Sequence, residues 1–125
     1  MNSKGDLKMN TDTITNLTNY LVQTYHSKNP FELSDELGIF IFSEDLGNLT
    51  GYFNQAFDMQ MIHINKNLPH SDSEFICATS LYYCLTHTTR TIILAPTLPI
   101  PTTYNQTNPS ILFAQLLLNS TTPLL

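Results

Sequence analysis

The stretch Met59-Gln60-Met61-Ile62-His63-Ile64-Asn65-Lys66-Asn67-Leu68-Pro69-His70-Ser71-Asp72-Ser73-Glu74-Phe75-Ile76-Cys77-Ala78 decides the fold. Its first part alternates. Ile62 and Ile64 fall on one face of an extended chain, Met61 and His63 on the other, which predicts a strand over 59–64. After Pro69 the period changes. Ser71-x-x-Glu74 is a capping-box pattern, and Phe75, Ala78, Tyr82 and Leu85 recur at helical spacing, so a helix is expected over 72–87. A half-apolar strand running into a capped helix predicts a sheet with a helix packed on it.

Upstream, Leu49 to Phe53 reads as a second strand, with Gly51 marking a bulge or a close approach. Ile39-Phe40-Ile41-Phe42 is continuously apolar, β-branched and aromatic, and is expected to be a buried strand. Three strands with short connections predict an antiparallel meander. Before them, Asn29-Pro30-Phe31-Glu32 offers a cap, a proline at the first helical position and a carboxylate at the third. That short helix should stop at Gly38, a good left-handed residue. Ile14, Leu17, Leu21 and Val22 form one apolar stripe of a first helix running from Thr11 to Tyr25 or His26. The fold class is therefore α+β.

Residues 1–10 read as a flexible polar start, 11–87 as the folded domain and 88–125 as a tail of a different kind. All ten acidic and four of the five basic residues lie within 1–74, and only Arg90 is charged beyond. A folded surface carries more charge than that, so the tail is expected to be irregular or poorly packed. Within it, 91–94 has strand character, 96–109 is a proline-broken loop and 111–119 is a candidate apolar helix.

Bulk properties exclude several functions. The net charge of −5 and the scattered basic residues argue against direct nucleic-acid binding. The apolar runs are short and broken by Pro96, Pro99 and Pro101, so no membrane span is expected. Cys77 and Cys84 are two helical turns apart, too far for a disulfide. Free thiols without a leader segment predict a cytoplasmic protein.

Four blocks carry more specific text. They are Asn29-Pro30-Phe31-Glu32-Leu33, Leu37-Gly38-Ile39, Asp45-Leu46-Gly47-Asn48-Leu49-Thr50-Gly51-Tyr52 and Ile62-His63-Ile64-Asn65-Lys66-Asn67-Leu68. In this order they resemble the ImmA/IrrE family of metallopeptidases, over about residues 15–78. The resemblance implies a phage or mobile-element immunity protein, of the anti-repressor type that cleaves a helix-turn-helix repressor with a zinc-bound water. Family members continue with a His-Glu-x-x-His helix, whose two histidines bind zinc from one face while the glutamate acts as base.

Here that register places Thr79 at the first His, Ser80 at the Glu and Tyr83 at the second His. His87 matches a trailing His and is a weak metal candidate. Phe113-Ala114-Gln115-Leu116-Leu117-Leu118 resembles the later family helix but carries no acidic third ligand. Hydroxyls are poor zinc ligands and a serine is no carboxylate base, so no catalytic residue, no zinc and no cofactor are expected. Two accounts compete. In one, a reading-frame slip near Ala78 explains the loss of charge. In the other, the chain has diverged into a non-catalytic module that contacts a repressor without cutting it.

The remaining polar residues have plainer readings. His63 lines a sheet face, His70 is solvated, and His87 meets a helix C-terminus. Cys77 and Cys84 are small buried groups, against the alternative of a Cys84–His87 pair. Tyr82 and Tyr83 pack in the core and at its rim.

Overall fold

The computed structural model describes residues 10–86, 91–94, 103–105 and 107–121. The first helix, α1 (Thr11–Tyr25), starts where Asn10 accepts a hydrogen bond from the Thr13 amide at 2.8 Å and ends at His26, which has a left-handed φ of 57°. Its stripe Ile14, Leu21 and Val22 is buried. Thr18 lies in the same stripe because its hydroxyl donates to the Ile14 carbonyl at 2.8 Å.

Helix α2 (Pro30–Glu36) follows the expected start and stop. Asn29 Oδ1 accepts from the Phe31 and Glu32 amides. The capping box is relayed: the Asn29 amide donates to Ser27 Oγ at 3.0 Å, and Ser27 Oγ donates to Glu32 Oε1 at 2.6 Å. Gly38 takes a φ of 76° just past the helix end, which lets the Ile39 amide reach back to the Ser34 carbonyl at 2.8 Å.

The sheet corrects the expected meander. Strands β1 (Phe40–Glu44), β2 (Gly51–Ala56), β3 (Met59–Asn65) and β4 (Ile92–Leu94) lie in the order β1-β3-β2-β4. β1 runs parallel to β3, while β2 is antiparallel to both β3 and β4. Asn65 supplies the reason. Its Nδ2 donates to the carbonyls of Gly47 and Leu49 at 3.0 and 2.9 Å, and its amide donates to the Thr50 carbonyl at 3.0 Å. These bonds hold the 45–50 connection across the end of β3, so β2 forms on the far side of it. β2 and β3 then close as a hairpin through Phe57 and Asp58, both with positive φ, as a two-residue turn requires.

β1 is also not the buried strand expected. It is an edge, and Phe40 and Phe42 are 51% and 42% exposed. Phe53, Ile62 and Ile64 line the covered face of the sheet. Gly51 is a close approach: a Cβ there would come within 2.6 Å of the His63 carbonyl oxygen and 2.8 Å of Ile76 Cγ2.

Helix α3 (His70–Thr86) packs on that covered face. It begins two residues earlier than a Ser71 cap would place it, with the Ser73 amide donating to the Pro69 carbonyl at 2.9 Å. From Phe75 to Tyr82 it is buried all round, because the sheet covers one side and the last helix of the chain the other.

Helix α4 (Pro109–Leu118) is the apolar helix expected over 111–119, and its packing corrects the expectation of an irregular or poorly packed tail. Asn108 caps it, accepting from the Ser110 and Ile111 amides, and Pro109 opens it. Ile111, Leu112, Phe113, Ala114 and Leu117 are buried against α3 and α1. Gln115 ties residues 103–105 to the helix: its Oε1 accepts from the Asn105 amide and its Nε2 donates to the Thr103 carbonyl, both at 2.8 Å. The described part of the tail is therefore packed. No helix among the described residues is long and apolar enough to cross a membrane.

Candidate functional site

Two places hold the chemistry-bearing side chains, one inside α3 and one on the open face of the sheet. Inside α3, Thr79 and Ser80 are fully buried. Thr79 Oγ1 donates to the Ile76 carbonyl at 2.9 Å, and Ser80 Oγ donates to the same carbonyl at 2.7 Å. Both hydroxyls are spent inside the helix that carries them. Tyr83 sits half-buried at the rim, meeting Tyr82 edge to face with centroids 5.6 Å apart, and Tyr82 in turn leans on Phe113 of α4. Burial raises the Tyr82 phenol above its usual range.

The thiols are equally closed. Cys77 faces Ser34 with Sγ and Oγ 3.9 Å apart. Burial pushes its pKa up to about 12, against the lowering effect of the Ser34 contact. Cys84 is pushed up as well, by burial and then by Cys77. A thiol held protonated is no nucleophile at neutral pH. His87, the weak metal candidate and the imagined partner of Cys84, lies outside the described residues. His70 is exposed, stacks on Phe31 with centroids 6.4 Å apart, and pairs with Glu74 at 3.6 Å.

The donor set of α3 does not fit a zinc ion. Zinc sites use thiolate, imidazole or carboxylate, whereas the positions here offer two neutral hydroxyls already bonded to backbone and a phenol at the rim. Among the described residues no three His, Cys, Asp or Glu side chains cluster closely enough to hold a metal.

On the open face, His63 clamps three strands. Its Nδ1 lies 2.6 Å from Glu44 Oε2 on β1, and its Nε2 lies 2.9 Å from Asn54 Oδ1 on β2. The ring is sandwiched between Tyr52 and Phe42, with centroids 4.1 and 5.2 Å away and planes within 9° and 20° of parallel. Both ring nitrogens are engaged, so the imidazole works here as a brace rather than a base. Sequence reasoning placed His63 on this face but missed Glu44 and Asn54. The signal lies in the strand register, which sets Phe42 and Tyr52 opposite His63 from the two sides.

An α+β scaffold with a buried helix packed on a mixed four-stranded sheet is the class these elements define. Residues 34–125 match the IrrE N-terminal-like domain family, Peptidase_M78, and the chain belongs to that family. The likeness therefore runs well past the span of about residues 15–78 over which the sequence blocks led it to be expected. The chain is also similar to metallopeptidase ImmA of Bacillus subtilis (strain 168), 33% identical over 69 residues, which cover 54% of this chain and 40% of that protein. The chain thus matches under half the length of that relative. No solved structure matches it.

Proposed function

We propose that this chain is a non-catalytic member of the family that serves a phage or mobile-element immunity region by contacting a helix-turn-helix repressor without cleaving it. One observation carries the reading. The positions that would hold zinc and its base are Thr79 and Ser80, sealed in the core with both hydroxyls on the Ile76 carbonyl. The scaffold around them is kept while the chemistry is not.

Divergence is favoured over a reading-frame slip by α4. An accidental tail has no reason to supply an Asn-Pro helix start and five apolar residues that bury against α3 and α1. The acidic charge of the chain suits a repressor, whose DNA-binding surface is basic.

The test is direct. Metal analysis of the purified protein should find no stoichiometric zinc, and incubation with the repressor encoded beside it should leave that repressor intact but retained on an affinity column. Bound zinc together with cleavage would sink the proposal, as would a repressor that passes through unretained.

A further inference from the structure

Strand β1 presents an edge with an unusual combination of features. The Glu44 carbonyl accepts from the Lys66 amide at 2.7 Å, so the Glu44 backbone faces β3. Backbone groups alternate sides along a strand, which turns Phe42 and Phe40 toward β3 and turns Ile41 and Ser43 outward. The Ile39 amide, also outward, is taken by the Ser34 carbonyl. The free run of the edge therefore begins at the Ile39 carbonyl and continues through Ile41 and Ser43. Among the described residues nothing pairs with it.

Beside this edge lies a cleft of about 330 Å³ lined by Phe31, Asp35, Ile39, Phe40 and Ile41. Its side chains are apolar except for the Asp35 carboxylate, and exposed polar atoms make up nearly half of its surface. Glu36 follows Asp35 on α2, and Glu44 and Asp45 close the far end of the strand, where among the described residues Lys66, on the adjoining β3 turn, is the one nearby cation. Across the described residues nine carboxylates face only Lys28 and Lys66, and the Lys28 ammonium is bonded to the Ser120 carbonyl on the α4 side. The other edge of the sheet is β4, three residues long.

We infer that β1 captures an extended segment of a basic partner protein by strand addition, with a lysine or arginine of that segment set in the cleft against Asp35. Strand addition draws affinity from main-chain hydrogen bonds and specificity from pockets for alternate side chains, and the edge and the cleft supply one of each. Charge selects the occupant. A second copy of this chain would bring acidic groups to an acidic edge, which is unfavourable, whereas a basic segment is attracted. The inference rests on the binding-module reading above and names where its partner docks.

A fluorescein-labelled peptide of alternating lysine and valine, titrated into the full chain and followed by anisotropy, tests it. Its glutamate–valine counterpart serves as control. Binding should shift the amide resonances of Ile41 and Ser43. Ser43→Pro removes an outward N–H at an exposed edge position, where proline is tolerated, and should weaken binding about tenfold without changing the circular dichroism spectrum. Asp35→Asn should weaken the lysine peptide severalfold and flatten its salt dependence.

Equal affinity for the two peptides overturns the inference, as does full affinity in Ser43→Pro. So does a dimer that Ser43→Pro dissolves in the absence of peptide binding. Repressor retained equally by wild type and by Ser43→Pro would overturn the β1 site alone. Repressor retained by neither would overturn the binding-module reading itself.

Discussion

Ser80 and Ile76 share a hydrogen bond, Oγ to carbonyl at 2.7 Å, in the part of α3 that is buried on every side. That bond fixes what Ser80 can do. It donates within its own helix, to a carbonyl that also receives Thr79, and it faces no solvent. Ser80→Ala should therefore change stability by no more than about 1 kcal/mol in urea denaturation, because the carbonyl keeps a partner. Ser80→Glu places an unpaired carboxylate in the core and should cost at least about 3 kcal/mol. A Ser80→Glu variant as stable as wild type would show that this part of α3 opens to water.

Asn65 is the joint of the sheet. Its side chain holds the carbonyls of Gly47 and Leu49, and its Oδ1 accepts from the Asn67 amide at 3.0 Å. Asn65→Ala should cost about 2 kcal/mol, since it strips partners from three backbone groups, two of which can turn partly to water. Amide exchange should speed up over 45–50 before it does in α3. Uniform exchange across both segments would argue that the crossover is held by something else.

The buried thiols make stability depend on alkaline pH. Cys77 has its pKa raised from 9.0 to about 12 in the folded chain, and Cys84 is raised in the same direction. Below pH 9 both states keep these protons and the stability is fully present. As pH rises from 9 toward 12 the unfolded chain loses them while the folded chain does not, so unfolding becomes progressively favourable. Urea midpoints measured across that window should fall. At pH 8, iodoacetamide should label the two cysteines only at the rate at which the protein unfolds. Rapid labelling of native protein would contradict the sealed core.

What could be read in the sequence was local. The Asn29-Pro30 start, the Gly38 stop and the Ile14–Val22 stripe each depend on a few neighbouring residues, and each holds. The placing of Thr79, Ser80 and Tyr83 on one helix was legible for the same reason, since their spacing is local. The parallel β1–β3 pairing was not, because it depends on Asn65 reaching back to Gly47 and Leu49. The exposure of Phe40 and Phe42 was hidden by their apolar composition, which resembles that of a core strand.

Helix α4 was legible as the apolar run over 111–119, but its start and its packing were not. Asn108-Pro109 repeats the Asn29-Pro30 signal but lies at the end of proline-broken text that reads as loop. The Glu44–His63–Asn54 clamp joins three strands and needs the strand order before it can be seen.

The one-sided distribution of charge has a consequence at distances where no contact is made. Among the described residues α2 and β1 pack together and carry Glu32, Asp35, Glu36 and Glu44, while α4 carries no charge at all. Such a body feels a torque in the field of any cation-rich surface and turns before it touches, presenting its acidic side first. Orientation would then be settled during diffusion, leaving short-range fit only the final few ångströms to decide.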